Sequence, residues 1–351
     1  MNTNFLTEKE NEFPGFYLGR VVEQERNLYK VVTEDGELSA EVSGKFRYET
    51  LDSTDFPAVG DFVLLDRKNA AAGTALIHKR LERQSVLIRK AAGTVTSERQ
   101  VIAANIDKIF ICMALNEDFN LRRAERYLAL TWESGATPVL ILTKQDLCDD
   151  LEEKLSDLQK IALGVKILVT SGLDAEGYFP LSEEIKSGQT VAFIGSSGVG
   201  KSTLINRLLG EELIKTSGLG VDSKGRHTTT HRKLFTLASG AMVIDTPGMR
   251  ELGLENANFS ESFPDIDELA LSCKFSDCSH KNEPGCAVLE AIASGELTTE
   301  RLSNYLKMKK ESGYDGLTSR QIQLAKHEER RKELAGARNY RKILHDRAKR
   351  R

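Results

Sequence analysis

Gly195-Ser196-Ser197-Gly198-Val199-Gly200-Lys201-Ser202 has the spacing G-x-x-x-x-G-K-[ST]. That spacing builds a phosphate cradle. Glycines let the backbone run close to phosphate oxygens, its N–H groups point inward, and the helix that follows adds its positive dipole end. Lys201 is placed to reach the β- and γ-phosphates, and the Ser202 hydroxyl to ligate Mg²⁺. About fifty residues later Asp245-Thr246-Pro247-Gly248 closes the apolar run Met242-Val243-Ile244. Asp245 would hold Mg²⁺ through water, and the Gly248 N–H would face the γ-phosphate. A DTPG stretch alone could be a plain turn, since Pro and Gly favour one.

Thr143-Lys144-Gln145-Asp146 ends the run PVLIL. In a T/N-K-x-D pattern the Asp accepts hydrogen bonds from guanine N1–H and N2–H₂, while the Lys stem packs along the base. Adenine lacks that donor pair, so it would leave the carboxylate without partners. The pattern is weak by itself, because Lys and Asp are common at strand-to-helix turns. Ser171, within Thr170-Ser171-Gly172 after the run VKILV, supplies a second element, a backbone N–H for guanine O6. At position 143 a threonine replaces the asparagine usual in this pattern, and its shorter hydroxyl is expected to weaken nucleotide binding without changing base choice.

Between the cradle and DTPG lies Gly225-Arg226-His227-Thr228-Thr229-Thr230-His231. A threonine here, assigned as Thr229, could complete the Mg²⁺ shell, His227 could position water, and Arg226 could neutralise phosphate charge. Met249 stands just after Gly248, near where Ras-like enzymes carry a water-orienting Gln, and it cannot do that job. The competing view of His227 is a solvent-exposed imidazole in a polar loop.

Cys273-x₄-Cys278-x-His280-x₅-Cys286 offers three thiolates and an imidazole within fourteen residues. Four such ligands complete a tetrahedron and leave no position for water, which favours a structural zinc. The surrounding KFSDCSHKNEPG has little apolar content, so a metal staple would hold it. The total of five cysteines is odd, which argues against a disulfide framework. Cys112 and Cys148 read as small packing residues.

These groups need scaffolding, and the hydrophobic pattern supplies it. Five short alternating stretches in residues 14–85, separated by turn signals, fit an OB-fold-like β-barrel. Residues 86–104 read as a linker and residues 1–13 as a flexible N-terminus. Over 105–255 apolar strands alternate with amphipathic helices, the rhythm of a parallel sheet covered by helices. Residues 256–351 look mainly helical around the Cys/His loop.

The base-reading pattern precedes the phosphate cradle, the reverse of the ordinary order. The same sheet can be assembled with its chain ends moved, which is circular permutation. DTPG then leads directly into the C-terminal region, so a nucleotide-dependent switch could be transmitted there.

With 40% hydrophobic and 29% charged residues the chain reads as soluble, and no run approaches the ~18–20 apolar residues of a membrane span. The start lacks the layout of a signal peptide, so a cytoplasmic location is expected. Residues 320–351 carry twelve Lys or Arg against four Asp or Glu, while the whole chain sums to -3. A basic tail on an acidic body suggests a polyanion such as RNA; a solvated helical face is the plain alternative.

A barrel followed by TKQD, GSSGVGKS, GRHTTT, DTPG with an apolar residue after it, and C-x₄-C-x-H-x₅-C together resembles the bacterial ribosome small-subunit-dependent GTPase A family over nearly the whole chain. The resemblance implies a multidomain α/β protein: an all-β N-terminal OB-fold barrel, a circularly permuted P-loop GTPase domain, and a mainly helical C-terminal zinc-binding domain. It implies a GTPase that binds the 30S ribosomal subunit and its 16S rRNA, is stimulated by it, and acts in late maturation with Mg²⁺ and one zinc, as a likewise expected monomer. The family pattern carries onto residues Thr143 to Asp146 and Gly195 to Thr203 as GTP contacts, onto the four Cys/His positions as zinc ligands, and onto His227 as a catalytic residue. Two other classes remain: a non-hydrolysing RNA-binding module gated by GTP, which Met249 favours, and a P-loop kinase, which TKQD disfavours.

Overall fold

The computed structural model describes residues 12–25, 27–90, 99–171, 177–211, 214, 232–246, 262–276 and 278–312. His227, Thr229 and Gly248 lie outside these, as do Gly172, Met249 and the basic tail.

Strands β1 (Tyr17–Glu25), β2 (Leu28–Thr33), β3 (Gly36–Val42), β4 (Phe62–Leu65) and β5 (Ala75–Arg80) correspond to the five alternating stretches. A short helix α1 (Gly44–Glu49) follows β3. The strands are joined in the order β1-β2-β3-β5-β4, and β4 returns to pair with β1, so the barrel is closed. Closure removes sheet edges. Period-two alternation turns Val21, Val31, Leu38, Ala40, Val63 and Ile77 inward to form its core.

Residues 86–104, expected to be a linker, instead hold an antiparallel pair, β6 (Val86–Lys90) and β7 (Arg99–Ala104). A two-stranded pair is marginal alone. This one is packed down by Leu87, Ile102 and Ala103, all buried in the main core.

The α/β part contains β8 (Lys108–Ala114), α2 (Leu121–Ser134), β9 (Thr137–Thr143), α3 (Leu151–Ile161), β10 (Lys166–Val169), α4 (Phe179–Glu184), β11 (Thr190–Gly195), α5 (Lys201–Leu209), β12 (Lys233–Thr236) and β13 (Met242–Asp245). Its strand order is β10-β9-β8-β11-β13-β12. The first five are parallel and buried on both faces at the centre, which is why β8, β9 and β11 read as unbroken apolar runs.

The expectation of a parallel sheet fails at β12, which runs antiparallel to β13. The turn between them, with Leu237 N–H donating to Ala241 O at 2.8 Å, is too short for the crossover that a parallel neighbour requires. Reversal also lets β12 meet β1 antiparallel, at Glu23 and Lys233, so one sheet runs from the α/β part into the barrel.

Among the described residues three helices follow, α6 (Pro264–Leu271), α7 (Ala287–Ser294) and α8 (Thr299–Ser312), with the Cys/His loop between α6 and α7. Pro264 opens α6 where its missing N–H costs nothing, and Gly295, in the left-handed region, ends α7. Phe263, Ile266, Val288, Leu302 and Met308 bury this unit into the same core as the sheet. Among the described residues no helix is long and apolar enough to cross a membrane.

Candidate functional site

In the strand order, β8 leads to β9 on one side while β11 lies on the other, so the direction of winding reverses between β8 and β11. Ligands of open α/β sheets bind at such a reversal, outside the carboxyl ends of the strands. The carboxyl ends of β9, β11 and β13 are Thr143, Gly195 and Asp245, one from each motif read above, and β10 runs on to Ser171.

Gly195 ends β11 with φ 146°, and a Cβ there would lie 2.3 Å from the Cys112 carbonyl oxygen of β8. Only glycine fits so close a backbone approach. Gly200, with φ 100°, turns the chain into α5, whose first residue is Lys201. Val199 is buried and anchors the loop, while Ser197 and Gly198 face solvent and Ser196, Ser202 and Thr203 are half-buried.

The Lys201 side chain curls over the loop, and Nζ donates to Gly195 O at 2.8 Å and Ser196 O at 2.7 Å. Burial lowers its pKa, and the nearby Asp245 works against that fall. Asp245 is itself buried, and desolvation pushes its carboxyl up to about 6 despite the neighbouring ammonium. A buried ammonium in the field of a buried carboxylate fits a phosphate with its divalent cation: each charge then gains an opposite one. Ser202 and Asp245 are the described residues that would hold Mg²⁺, which there would neutralise phosphate charge.

At the end of β9, Thr143 Oγ1 donates to Val199 O at 2.6 Å, tying the base-reading strand to the cradle. The threonine hydroxyl, shorter than the usual asparagine amide, thus reaches the cradle directly. Lys144 takes a left-handed conformation, φ 58°, which turns Gln145 and Asp146 out toward solvent. Asp146 is held from the side: Ser171 Oγ donates to its Oδ1 at 2.9 Å. The two expected guanine-reading segments are therefore in contact.

Two groups at this site escaped the sequence reading. Arg123, on α2, donates from Nη1 to Ser196 Oγ at 2.7 Å and pairs with Asp118 at 2.5 Å. Thr246 Oγ1 donates to Phe193 O, stitching β13 to β11. The sequence carries a signal for Thr246 in DTPG; for Arg123 it carries none, since its partner is 73 residues away.

Cys273, Cys278, His280 and Cys286 place one ligand atom each within 4.8 Å of all the others. The Cys273 and Cys286 sulfurs are 3.8 Å apart, and His280 Nδ1 lies 3.7 Å and 3.4 Å from them. Bonds of ~2.3 Å from a tetrahedral metal would set sulfurs about 3.8 Å apart, so the four residues fit such an ion. Burial raises the Cys273 thiol, but N–H groups of Val288 and Ala287 at the start of α7 outweigh it and hold it below the ordinary thiol value.

Comparison with known proteins agrees with this geometry. Residues 80–255 match the model of the RsgA GTPase family. A Lactiplantibacillus plantarum protein, "Small ribosomal subunit biogenesis GTPase RsgA 2", is 50% identical over 91% of this chain and 89% of its own. The chain belongs to the RsgA GTPase family. A Listeria monocytogenes member of the same description is 45% identical over 89% of this chain and 88% of its own. Among solved structures, YjeQ from Thermotoga maritima superposes with TM-score 0.62 at 29% identity, covering 85% of this chain and 98% of that one. YloQ, described as a circularly permuted GTPase, gives TM-score 0.61 at 25% identity, covering 85% and 95%. The permuted order read from the motifs is thus that of the family, and membership makes the chain a GTP-hydrolysing enzyme rather than a kinase or a non-hydrolysing module.

Proposed function

We propose that this chain is a cytoplasmic, monomeric GTPase that binds the small (30S) ribosomal subunit through its 16S rRNA, assists late maturation of the subunit, and hydrolyses GTP faster when bound to it. Relatives that are 50% and 45% identical over about nine-tenths of the chain are described as small ribosomal subunit biogenesis GTPases, which supports this reading. The observation that carries it is the contact of the two halves of a guanine site with a phosphate cradle, through Thr143 to Val199 and Ser171 to Asp146.

In this reading residues Thr143 to Asp146 and Ser171 hold guanine, and Gly195 to Thr203, Asp245 and Gly248 hold the phosphates. Ser202 and Thr229 ligate Mg²⁺, and His227 orients the attacking water, the role Met249 cannot take. Cys273, Cys278, His280 and Cys286 hold one structural zinc, which fixes the C-terminal unit. The functional division follows the barrel at 14–85, a connection at 86–104, the GTPase domain at 105–255 and the zinc unit with its basic tail at 256–351, after a flexible start at 1–13.

The test is GTP turnover by the purified chain alone, with 30S subunits, and with 50S subunits or ATP as controls. Strong acceleration requiring both GTP and 30S is expected. Equal turnover with and without 30S, despite tight GTP binding, would overturn the dependence on the subunit.

A further inference from the structure

A cavity of about 270 Å³ opens between the barrel, β7 and the start of β12, away from the nucleotide site. Arg99 and Arg232 line it together with Gln24, Gln100 and the ring of Phe56. Its volume is several times the ~30 Å³ share of one liquid water, so it has room for more than a lone ion.

Arg232 is the unusual member. Its Nη1 donates to Val101 O at 2.9 Å, while Nε is buried without a partner among the described residues. Arg83 pairs with Asp61 at 2.7 Å and Arg301 with Glu125 at 2.6 Å, while the buried Arg20 places Nε, Nη1 and Nη2 on Gly60 O, Met242 Sδ, Asn105 O and Thr190 Oγ1. Arg232 has no carboxylate partner among the described residues. Burial pulls its guanidinium down to about 10, and Arg89 adds to the fall. Glu23 on neighbouring β1 is engaged by Lys30 at 3.0 Å and Lys233 at 3.9 Å. Asp52 lies within the field of Arg99, so the negative charge nearby serves that side of the cavity and not Arg232.

A desolvated cation without an anion is costly, and the cost is recovered when an anion enters. A guanidinium fork matches phosphate oxygens two at a time, and the amides of Gln24 and Gln100 add neutral donors. We propose that this cavity is a phosphate-binding site, in which Arg232 and Arg99 hold a phosphate group of a ligand whose adjoining part lies against Phe56. The site stands apart from the P-loop and needs neither nucleotide nor subunit, so its failure would leave the subunit-stimulated GTPase reading intact.

The test uses the full chain saturated with GDP, so that the P-loop is filled, and two probes: inorganic phosphate and a short oligouridylate. Titration calorimetry is run on the parent, Arg232→Met and Arg99→Gln, with Arg232→Lys as a charge-keeping control should the methionine variant fold poorly. Phosphate is expected to bind the parent, to bind Arg232→Lys and Arg99→Gln more weakly, and not to bind Arg232→Met. A roughly tenfold loss of oligouridylate affinity in Arg232→Met, with the slope of log K on log salt smaller by about 0.7, assigns the phosphate to an RNA backbone. Unchanged oligouridylate affinity beside a lost phosphate signal assigns it to a small phosphate-bearing molecule. Phosphate binding that is equal in parent and variants, or absent from the parent with both probes, overturns the proposal.

Discussion

Thr143 shows how much one hydroxyl can carry. Its Oγ1 ties strand β9 to the P-loop at Val199 O, and Gly200 sits close enough that a Cβ there would lie 3.9 Å from the same atom. Thr143→Val keeps the shape and removes the donor, leaving a buried carbonyl short of a partner. A single neutral hydrogen bond is worth about 0.5–1.5 kcal/mol, so GDP affinity should fall by roughly 2- to 10-fold with the preference for guanine over adenine unchanged. Fluorescent-nucleotide titration checks this, and parental affinity in Thr143→Val would show the bridge to be idle. Asp245 makes a second prediction at this scale. Its folded pKa, about 6, lies above the ordinary 3.8, so the folded state binds more protons between those values and its stability falls as pH rises through that window. The burial penalty is fully present above about pH 6. Asp245→Asn should therefore stabilise the nucleotide-free chain at pH 8 and leave it nearly unchanged near pH 4, read from urea unfolding at both.

At the scale of elements, most of the fold was legible because burial wrote the sequence. Strands covered on both faces are unbroken apolar runs, barrel strands alternate, and α2 begins at Asn120, whose side chain caps the Arg123 N–H. Pairing was less legible. The pair β6–β7 looked like a linker because its strands flank Gly and polar residues, and what fixes them is the burial of Leu87, Ile102 and Ala103 in the main core rather than a local alternation. The reversal of β12 depends on a short turn, and Arg123 on a loop far along the sequence, so no local pattern records either. The Cys/His loop is the opposite case, since ligand type and spacing state the site outright. We expect one zinc per chain by elemental analysis. Chelation or Cys278→Ser should remove it and lower the unfolding temperature, because α6 and α7 lose the staple that joins them. A chain whose unfolding is unchanged by chelation would show the loop to be held by packing alone.

At the scale of the whole molecule, two arginines dock the outer units onto the GTPase sheet. Arg20 of the barrel donates to Thr190 Oγ1 at 2.8 Å and to Asn105 O at 3.3 Å, beside the sheet continuity of β1 with β12. Arg301 of α8 reaches Glu125 on α2 at 2.6 Å and Asp265 on α6 at 2.6 Å and 2.7 Å, while Asn304 donates to the other Glu125 oxygen. Both ends of the Arg301–Glu125 pair are almost wholly buried, 7% and 4% exposed. Breaking such a pair from one side leaves a desolvated charge behind, which costs about 3–5 kcal/mol; removing both partners costs far less. Arg301→Met alone should therefore destabilise the chain by that amount, and Arg301→Met with Glu125→Leu should recover most of the loss. The position of Glu125 adds a functional consequence. It lies on α2 two residues from Arg123, which holds the P-loop through Ser196, so the same helix touches the nucleotide cradle and the zinc unit. If α2 links them, the single variant should change GDP affinity as well as stability, and the double variant should restore stability without restoring parental affinity. Parental GDP affinity in both variants would confine α2 to a structural role and leave the chain running from DTPG into α6 as the route between nucleotide and zinc unit.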